Sequence, residues 1–313
     1  MKTYNKIITG LCILSIIGCG VYVEKKYADR DTKAPQINFE EDSITKSVKA
    51  TTKELLQGVN AKDDVDGDVT DSILIENIIK KENTKNEFDI SYIAFDKAGN
   101  CGEAKRMLKY EDYYGPRFAI KQPLRFPLNA VSGISELAQA YDCFDADLTP
   151  YILVEGMDKI TSLDAKEGSY ECTFKVKNSV GDTSELPVSI ELYNSDSEEM
   201  LVPQIILSDY AVYVSKGENF NYKEYIKNIQ DSGTTLYVDD GNMVEVTDAS
   251  TNTKSLITEA LAEGREGNWI NISEINFETD LDVNVPGKYT GTYSYESSKT
   301  GLIGKTTIYI IVE

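Results

Sequence analysis

Apolar and polar residues alternate along much of this chain. Phe88, Ile90, Tyr92 and Ala94 share one parity. Successive side chains of an extended strand point to opposite faces, so this spacing predicts a strand with one buried face. Tyr170, Cys172, Phe174 and Val176 repeat the pattern, and Tyr289, Gly291, Tyr293 and Tyr295 echo it. Turn residues follow each time: KAGN at 97–100, SVGD at 179–182 and KTGLIG at 299–304. A closing strand is predicted next, clearest in IYIIV at 308–312. Short strands, regular turns and no long helical pattern predict an all-β fold of sandwiches. Tyr92 and Phe174 are expected to be equivalent inward positions.

The pattern belongs to a longer repeat. Residues 64–70 read DVDGDVT and 73–76 read ILIE; residues 143–149 read CFDADLT and 152–155 read ILVE. Ala34-Pro35, Gly115-Pro116 and Val202-Pro203 open three segments at near-equal intervals. Each opening leads into an alternating pair: Ile37 and Phe39, Phe118 and Ile120, Ile205 and Leu207. Proline suits the first residue of an edge strand, which needs no ladder donor. Acidic joints precede the later prolines, at Glu111-Asp112 and at 194–199 (NSDSEE). The expected organisation is a stalk at 27–33 and modules at 34–112, 113–198 and 199–313. A chain that repeats one module builds a rod or binding array more readily than a single catalytic pocket. The third module is longer. Residues 220–231 and 255–263 are each expected to hold a short helix or helical turn, and 239–275, with the only tryptophan, Trp269, reads as an insertion.

Ahead of the stalk, residues 7–23 are uncharged and mostly apolar, between Lys2 and Lys6 on one side and Glu24, Lys25 and Lys26 on the other. Residues 1–26 therefore read as a signal anchor whose helix holds the protein in the membrane. The other reading is a lipoprotein signal, with Cys19 acylated at a lipobox-like Ile16-Ile17-Gly18-Cys19. Both place the modules outside the cytoplasm, on the extracellular side of the cell membrane.

The opening Ala-Pro, the central DGDVT and the aromatic strand ending in AGN resemble bacterial immunoglobulin-like domains of Gram-positive surface proteins, including the hyalin-repeat-like modules. Residues 34–110 match that pattern closely. Residues 116–193 match with losses: Asn178 stands where Asp96 stands, and Ala146 replaces Gly67. Residues 203–313 keep mainly the opening proline and the terminal strands. The resemblance implies tandem immunoglobulin-like β-sandwiches. It implies little about function, because such domains serve as spacers, adhesins and carbohydrate-binding accessories.

Composition narrows the chemistry. The formal net charge of -20 argues against a nucleic-acid partner, whose phosphates attract Lys and Arg. The chain has no histidine, which removes the commonest general base and most transition-metal sites. No catalytic residue and no organic cofactor are expected. Asp63, Asp64, Asp66 and Asp68 are the metal candidates, since dense carboxylates can ligate calcium. An EF-hand frame fails there, because its twelfth position falls on Ile75. The preferred reading is structural: aspartates bonding nearby backbone amides, with Gly67 supplying a turn. Only Asp142, Asp145 and Asp147 survive in the second module. Cys143 and Cys172 are read as unbridged thiols rather than a disulfide. Asn271-Ile272-Ser273 matches a glycosylation acceptor, without weight in a bacterial protein. The leading function is a surface protein that spaces, adheres or binds a protein partner. The alternatives are an accessory lipoprotein with a glycan ligand and a hydrolase with a carboxylate site. An exposed aromatic platform on the third module would favour the glycan ligand.

Overall fold

The structure is a computed structural model that describes residues 15–17, 19, 21, 30–131, 133, 137–195, 201–239, 243–247, 254–258 and 268–313. It is all-β, and it divides into two compact units, 1–114 and 115–313.

The first unit contains β1 (Gln36–Phe39), β2 (Ser43–Lys46), the helical turn α1 (Thr52–Leu55), β3 (Val59–Asp63), β4 (Gly67–Asp68), β5 (Leu74–Lys80), β6 (Glu87–Phe95) and β7 (Cys101–Tyr110). One sheet has the order β1-β3-β4 and the other β2-β7-β6-β5. The opening segment thus serves both sheets. It pairs antiparallel with β3 through β1, then parallel with β7 through β2. The two sheets form a β-sandwich. Phe88, Ile90, Tyr92 and Ala94 are all fully buried between them, as their parity predicts.

Two details hold this core. Thr51 and Glu54 form a capping box that starts α1: Glu54 N–H donates to Thr51 Oγ1 at 3.3 Å, and Thr51 N–H donates to Glu54 Oε2 at 2.7 Å. At the other end of the turn, the Leu55 carbonyl accepts from the Tyr92 hydroxyl and from Arg106 Nη2, both at 2.8 Å. Arg106 also donates to Tyr92 Oη at 2.9 Å and to the Gln57 carbonyl at 3.1 Å. Among the described residues, no carboxylate pairs with this buried guanidinium. Hydrogen bonds and the Phe39 and Tyr92 rings, 5.4 and 5.2 Å away, stand in for water. At the opening, a Cβ on Gly102 would lie 1.9 Å from the Pro35 carbonyl oxygen. Glycine is what lets the proline segment lie against β7. Gly304 meets Pro203 in the same way, at 1.8 Å.

The second unit holds two sandwiches. The first has β8 (Arg117–Ala119), β9 (Arg125–Pro127), β10 (Gln139–Asp142), β11 (Ala146–Asp147), β12 (Leu153–Glu155), the short helix α2 (Met157–Thr161), β13 (Gly168–Lys177) and β14 (Thr183–Tyr193). Its sheets, β11-β10-β8 and β12-β13-β14-β9, reproduce the order of the first unit, with β9 parallel to β14. Phe174 is fully buried on β13, as Tyr92 is on β6.

The second sandwich has β15 (Gln204–Leu207), β16 (Ala211–Val214), β17 (Ile226–Asp231), β18 (Thr234–Asp239), β19 (Met243–Thr247), β20 (Lys254–Thr258), β21 (Asn268–Asn271), β22 (Ile275–Thr279), β23 (Gly287–Glu296) and β24 (Ile303–Val312). Its sheets are β15-β17-β18-β21 and β16-β24-β23-β22, and β19 and β20 form a separate hairpin. The helix expected over 255–263 is corrected at 255–258, and 259–263 lie outside the described residues. Residues 254–258 are a strand, paired antiparallel with 243–247. Of 220–231, residues 222–225 form a 3₁₀ turn and 226–231 are β17.

The two sandwiches of this unit share one core, in which Phe118, Ile120 and Phe174 cluster with Tyr210, Val212 and Ile310. Tyrosine hydroxyls close the seam. Tyr213 Oη accepts from Phe118 N–H at 2.7 Å, and Tyr309 Oη accepts from Ser189 N–H at 2.8 Å. Tyr210 N–H donates to the Ile120 carbonyl at 2.9 Å. Lys121–Asp209 and Arg117–Glu313 ion pairs flank them. Burial pushes the Tyr210 and Tyr309 hydroxyls up to about 12, and Tyr213 and Tyr293 further still. The tyrosine excess is thus partly a seam, which composition alone does not reveal.

Among the described residues no helix is long and apolar enough to cross a membrane. The anchor expected at 7–23 lies mostly outside the described residues; Cys19 is described and exposed. Cys172 is a buried free thiol, so no bridge joins it to Cys143, and burial raises its pKa.

Candidate functional site

The DGDVT corner of the first unit is built by short-range bonds. Asp63 closes the β3–β4 turn: its Oδ1 accepts from Val65 N–H and Asp66 N–H, both at 2.9 Å. Asp66 Oδ2 accepts from Lys97 N–H at 2.8 Å, which pins the turn to the end of β6, and Lys97 Nζ lies 3.1 Å from Asp66 Oδ1. Asp68 Oδ1 accepts from Thr70 N–H at 3.0 Å. Thr70 holds the Asp68 carboxyl below the usual range. Thr70 Oγ1 then accepts from Ala61 N–H at 3.1 Å. Gly67 takes φ +76°, where a glycine is favoured. Asp64 is half exposed and pairs with Lys33.

The second unit repeats the backbone bonds of this corner, with Ser179 in the place of Lys97 and so without that ion pair. Asp142 Oδ1 accepts from Phe144 and Asp145, Asp145 Oδ2 from Ser179, Asp147 Oδ1 from Thr149, and Thr149 Oγ1 from Ala140. The Asp147 carboxyl is likewise held low, by Thr149. Ala146 takes the Gly67 position at φ +58°.

The difference lies at the second oxygen of the buried aspartate. Asp142 Oδ2 accepts from Asn178 Nδ2 at 2.7 Å. In the third module Asp231 is 1% exposed, and Ser297 Oγ lies 2.9 and 2.8 Å from its two oxygens. In the first unit the same place after β6 holds Asp96, whose oxygens are taken by Asn100 at 2.8 and 2.6 Å. Burial pushes the Asp96 carboxyl up, but the Asn100 amide and the N–H groups of residues 98–100 outweigh it and hold the carboxyl low. An ionised carboxylate has no proton to donate. Asp63 Oδ2 is accordingly buried without a hydrogen-bond partner, and so is Asp31 Oδ2.

Asp31 was outside the predicted set. It belongs to the stalk, and the fold brings it to the corner. Its carbonyl accepts from Asn100 Nδ2 at 3.3 Å and its Oδ1 from Lys33 N–H at 3.0 Å. One carboxylate oxygen from each of Asp31, Asp63 and Asp66 lies within 4.8 Å of the other two. Of the four predicted aspartates, the structure thus brings Asp63 and Asp66 together. Asp64 and Asp68 stand outside that group. The only foretelling signal was Asp31's place four residues before Pro35.

A second feature lies on the third module. Tyr222 stacks on Phe277, with ring centroids 4.6 Å apart and planes 2° from parallel, and Phe220 stacks on Tyr225 at 5.4 Å. Phe220, Tyr222 and Phe277 line an open groove of about 630 Å³ with Asn219, Thr279, Asp282 and Asn284. The rings are half-buried.

No protein-family model matches the chain, and no curated protein matches it. Among solved structures it is similar to the M60 catalytic domain with the CBM51-1 and CBM51-2 domains from Clostridium perfringens ZmpB. The identity is 12% and the TM-score 0.19, covering 89% of this chain and 30% of that one. It is similar to mouse Cadherin-23 EC22-24 at 15% identity and TM-score 0.19, covering 90% and 99%. It is also similar to Drosophila N-cadherin EC1-3 at 13% identity and TM-score 0.29, covering 91% of each. Likenesses this remote carry no functional argument. The fold by itself defines an all-β protein of repeated sandwich modules.

Proposed function

We propose that this protein is an exported surface protein that binds or spaces a partner without catalysis, held at the membrane by residues 1–26. The observation that carries the reading is the seam between the second and third modules. A shared core and buried tyrosine hydroxyls fix those modules to each other, where flexibly tethered domains would meet through a small polar interface. A stiff two-module body suits presentation of a surface to a partner. The test is surface labelling of intact cells with a membrane-impermeant lysine reagent. The modules should label without lysis; labelling only after lysis overturns the proposal. Intact-mass spectrometry separates the two forms of attachment, since a signal anchor keeps Met1 and a lipoprotein begins at an acylated Cys19.

The groove of Phe220, Tyr222 and Phe277 favours a second reading, a glycan ligand. Aromatic rings beside Asn and Asp side chains offer stacking together with polar contacts. A glycan array probed with the full chain tests it. Binding that is lost in Tyr222→Ala supports a glycan ligand, and no binding to any glycan leaves the protein-partner reading alone.

A further inference from the structure

We infer that the first unit binds one calcium ion through Asp31, Asp63 and Asp66. Three observations converge. Asp63 is 7% exposed, and its Oδ2 is buried without a hydrogen-bond partner. Asp31 Oδ2 is buried and unpartnered as well. One oxygen each from Asp31, Asp63 and Asp66 falls within 4.8 Å of the others. A desolvated carboxylate oxygen costs free energy unless something answers it, and like charges this close add repulsion. A cation resolves both.

The other two modules meet the same oxygen with a protein donor. There the second oxygen of the buried aspartate receives Asn178 Nδ2 or Ser297 Oγ. The first unit replaces that donor with Asp96 and adds Asp31 from the stalk. Both changes remove a donor or add an acceptor, which is the direction a cation site takes. Two lysines compete with calcium: Lys33, which pairs with Asp64 and is attracted by Asp31 and Asp63, and Lys97, 3.1 Å from Asp66 Oδ1. The Lys97 side chain is 84% exposed, so it swings into water at small cost.

The donor set selects calcium. It is all oxygen and largely carboxylate, which suits a hard cation. Calcium, about 2.4 Å from its ligands, accepts an irregular shell of oxygens, whereas magnesium, at about 2.1 Å, demands near-ideal octahedral geometry. Backbone oxygens and water would complete the shell. The ion would tie the stalk to the first module, because Asp31 precedes β1 while Asp63 and Asp66 flank the β3–β4 turn.

The experiment uses the full chain, melted in chelator, in calcium and in magnesium, with calorimetric titration for stoichiometry. Calcium at a hundredfold excess over its dissociation constant should raise the first unit's melting temperature by about 10 °C, with one ion per chain and a smaller effect of magnesium. Asp31→Asn should leave the melting temperature in chelator unchanged and weaken calcium at least tenfold. Asp96→Asn restores the donor found at Asn178. It should keep or raise stability in chelator and weaken calcium at least tenfold. Lys97→Ala should leave calcium binding intact or strengthen it. The inference is overturned by no calcium shift, by equal shifts in magnesium, or by full affinity in Asp31→Asn. It is also overturned if Lys97→Ala lowers stability in chelator and calcium does not restore it, for Lys97 would then be the counter-ion.

Discussion

The first and second modules share strand order, an acidic corner and a fully buried aromatic ring at the same place, yet they solve the interior differently. The first is a separate unit and buries charge: Arg106 beneath Tyr92, and the carboxylates of Asp63 and Asp96. The second keeps one buried carboxylate, Asp142, and has neutral groups at the other places. It has Phe174 instead of Tyr92 and Asn178 instead of Asp96, and it extends its core into the third module through tyrosines. One backbone therefore accepts either a polar, self-contained interior or an apolar one that leans on a neighbour. The choice rests on few side chains, because backbone bonds and short-range caps already satisfy most of the corner.

Alkali should separate the two units most sharply. Tyr210 and Tyr309 titrate near 12 in the folded chain against about 10 when unfolded. Their protonated form is favoured by folding, so the contribution is complete below pH 10 and is lost as pH rises to 12. Each amounts to about 3 kcal/mol over that window, and Tyr213 and Tyr293 act in the same direction. The second unit should therefore unfold before the first in an alkaline titration, followed by tyrosinate absorbance and circular dichroism. Loss of the first unit ahead of the second would show that the second unit's buried tyrosines are not the alkaline weak point.

Truncating the equivalent rings should be nearly as severe. Tyr92→Ala and Phe174→Ala should each cost about 3–5 kcal/mol in urea unfolding, since both side chains are fully buried. A loss under about 1 kcal/mol at either would mean that the inward face is wrong. Tyr92→Phe sharpens the contrast. It keeps the ring but takes the hydroxyl from Arg106 and from the Leu55 carbonyl, at a cost of about 1–3 kcal/mol.

The seam itself is probed by Tyr309→Phe, which leaves Ser189 N–H without the tyrosine oxygen. The expected loss is about 1–3 kcal/mol, confined to the second unit's calorimetric transition. An equal loss in the first unit's transition would contradict that confinement. The smallest effect is at the turn. Ala146 sits at φ +58°, so Ala146→Gly should gain up to about 1 kcal/mol, while Gly67→Ala should lose about as much. Opposite signs from thermal melts support a strained Ala146; equal signs would refute it.

How much of this was legible depends on the range of the interaction. The parity of Phe88, Ile90, Tyr92 and Ala94 was readable because strand periodicity is local and burial follows it. The corner was readable as a turn, since Asp63, Asp66, Asp68 and Thr70 bond within a few residues of themselves or to the end of β6. Residues 255–258 misled because helical spacing in a short segment is weak, and their state is decided by pairing with 243–247. Asn178 opposite Asp96 was visible as a departure from the repeat. Its meaning needed the free oxygen of Asp63.

The sequence by itself determined the class of fold, the repeat, the inward aromatic positions and the conformation of the acidic loops, all of which follow from residue spacing and bonds between near neighbours. Only the tertiary structure decided that the second and third modules share one core, that Arg106 is buried, and that Asp31 reaches the corner formed by Asp63 and Asp66. Those outcomes depend on groups far apart in the chain arriving at one place, and on whether each buried polar atom then finds a partner. No local pattern encodes that accounting.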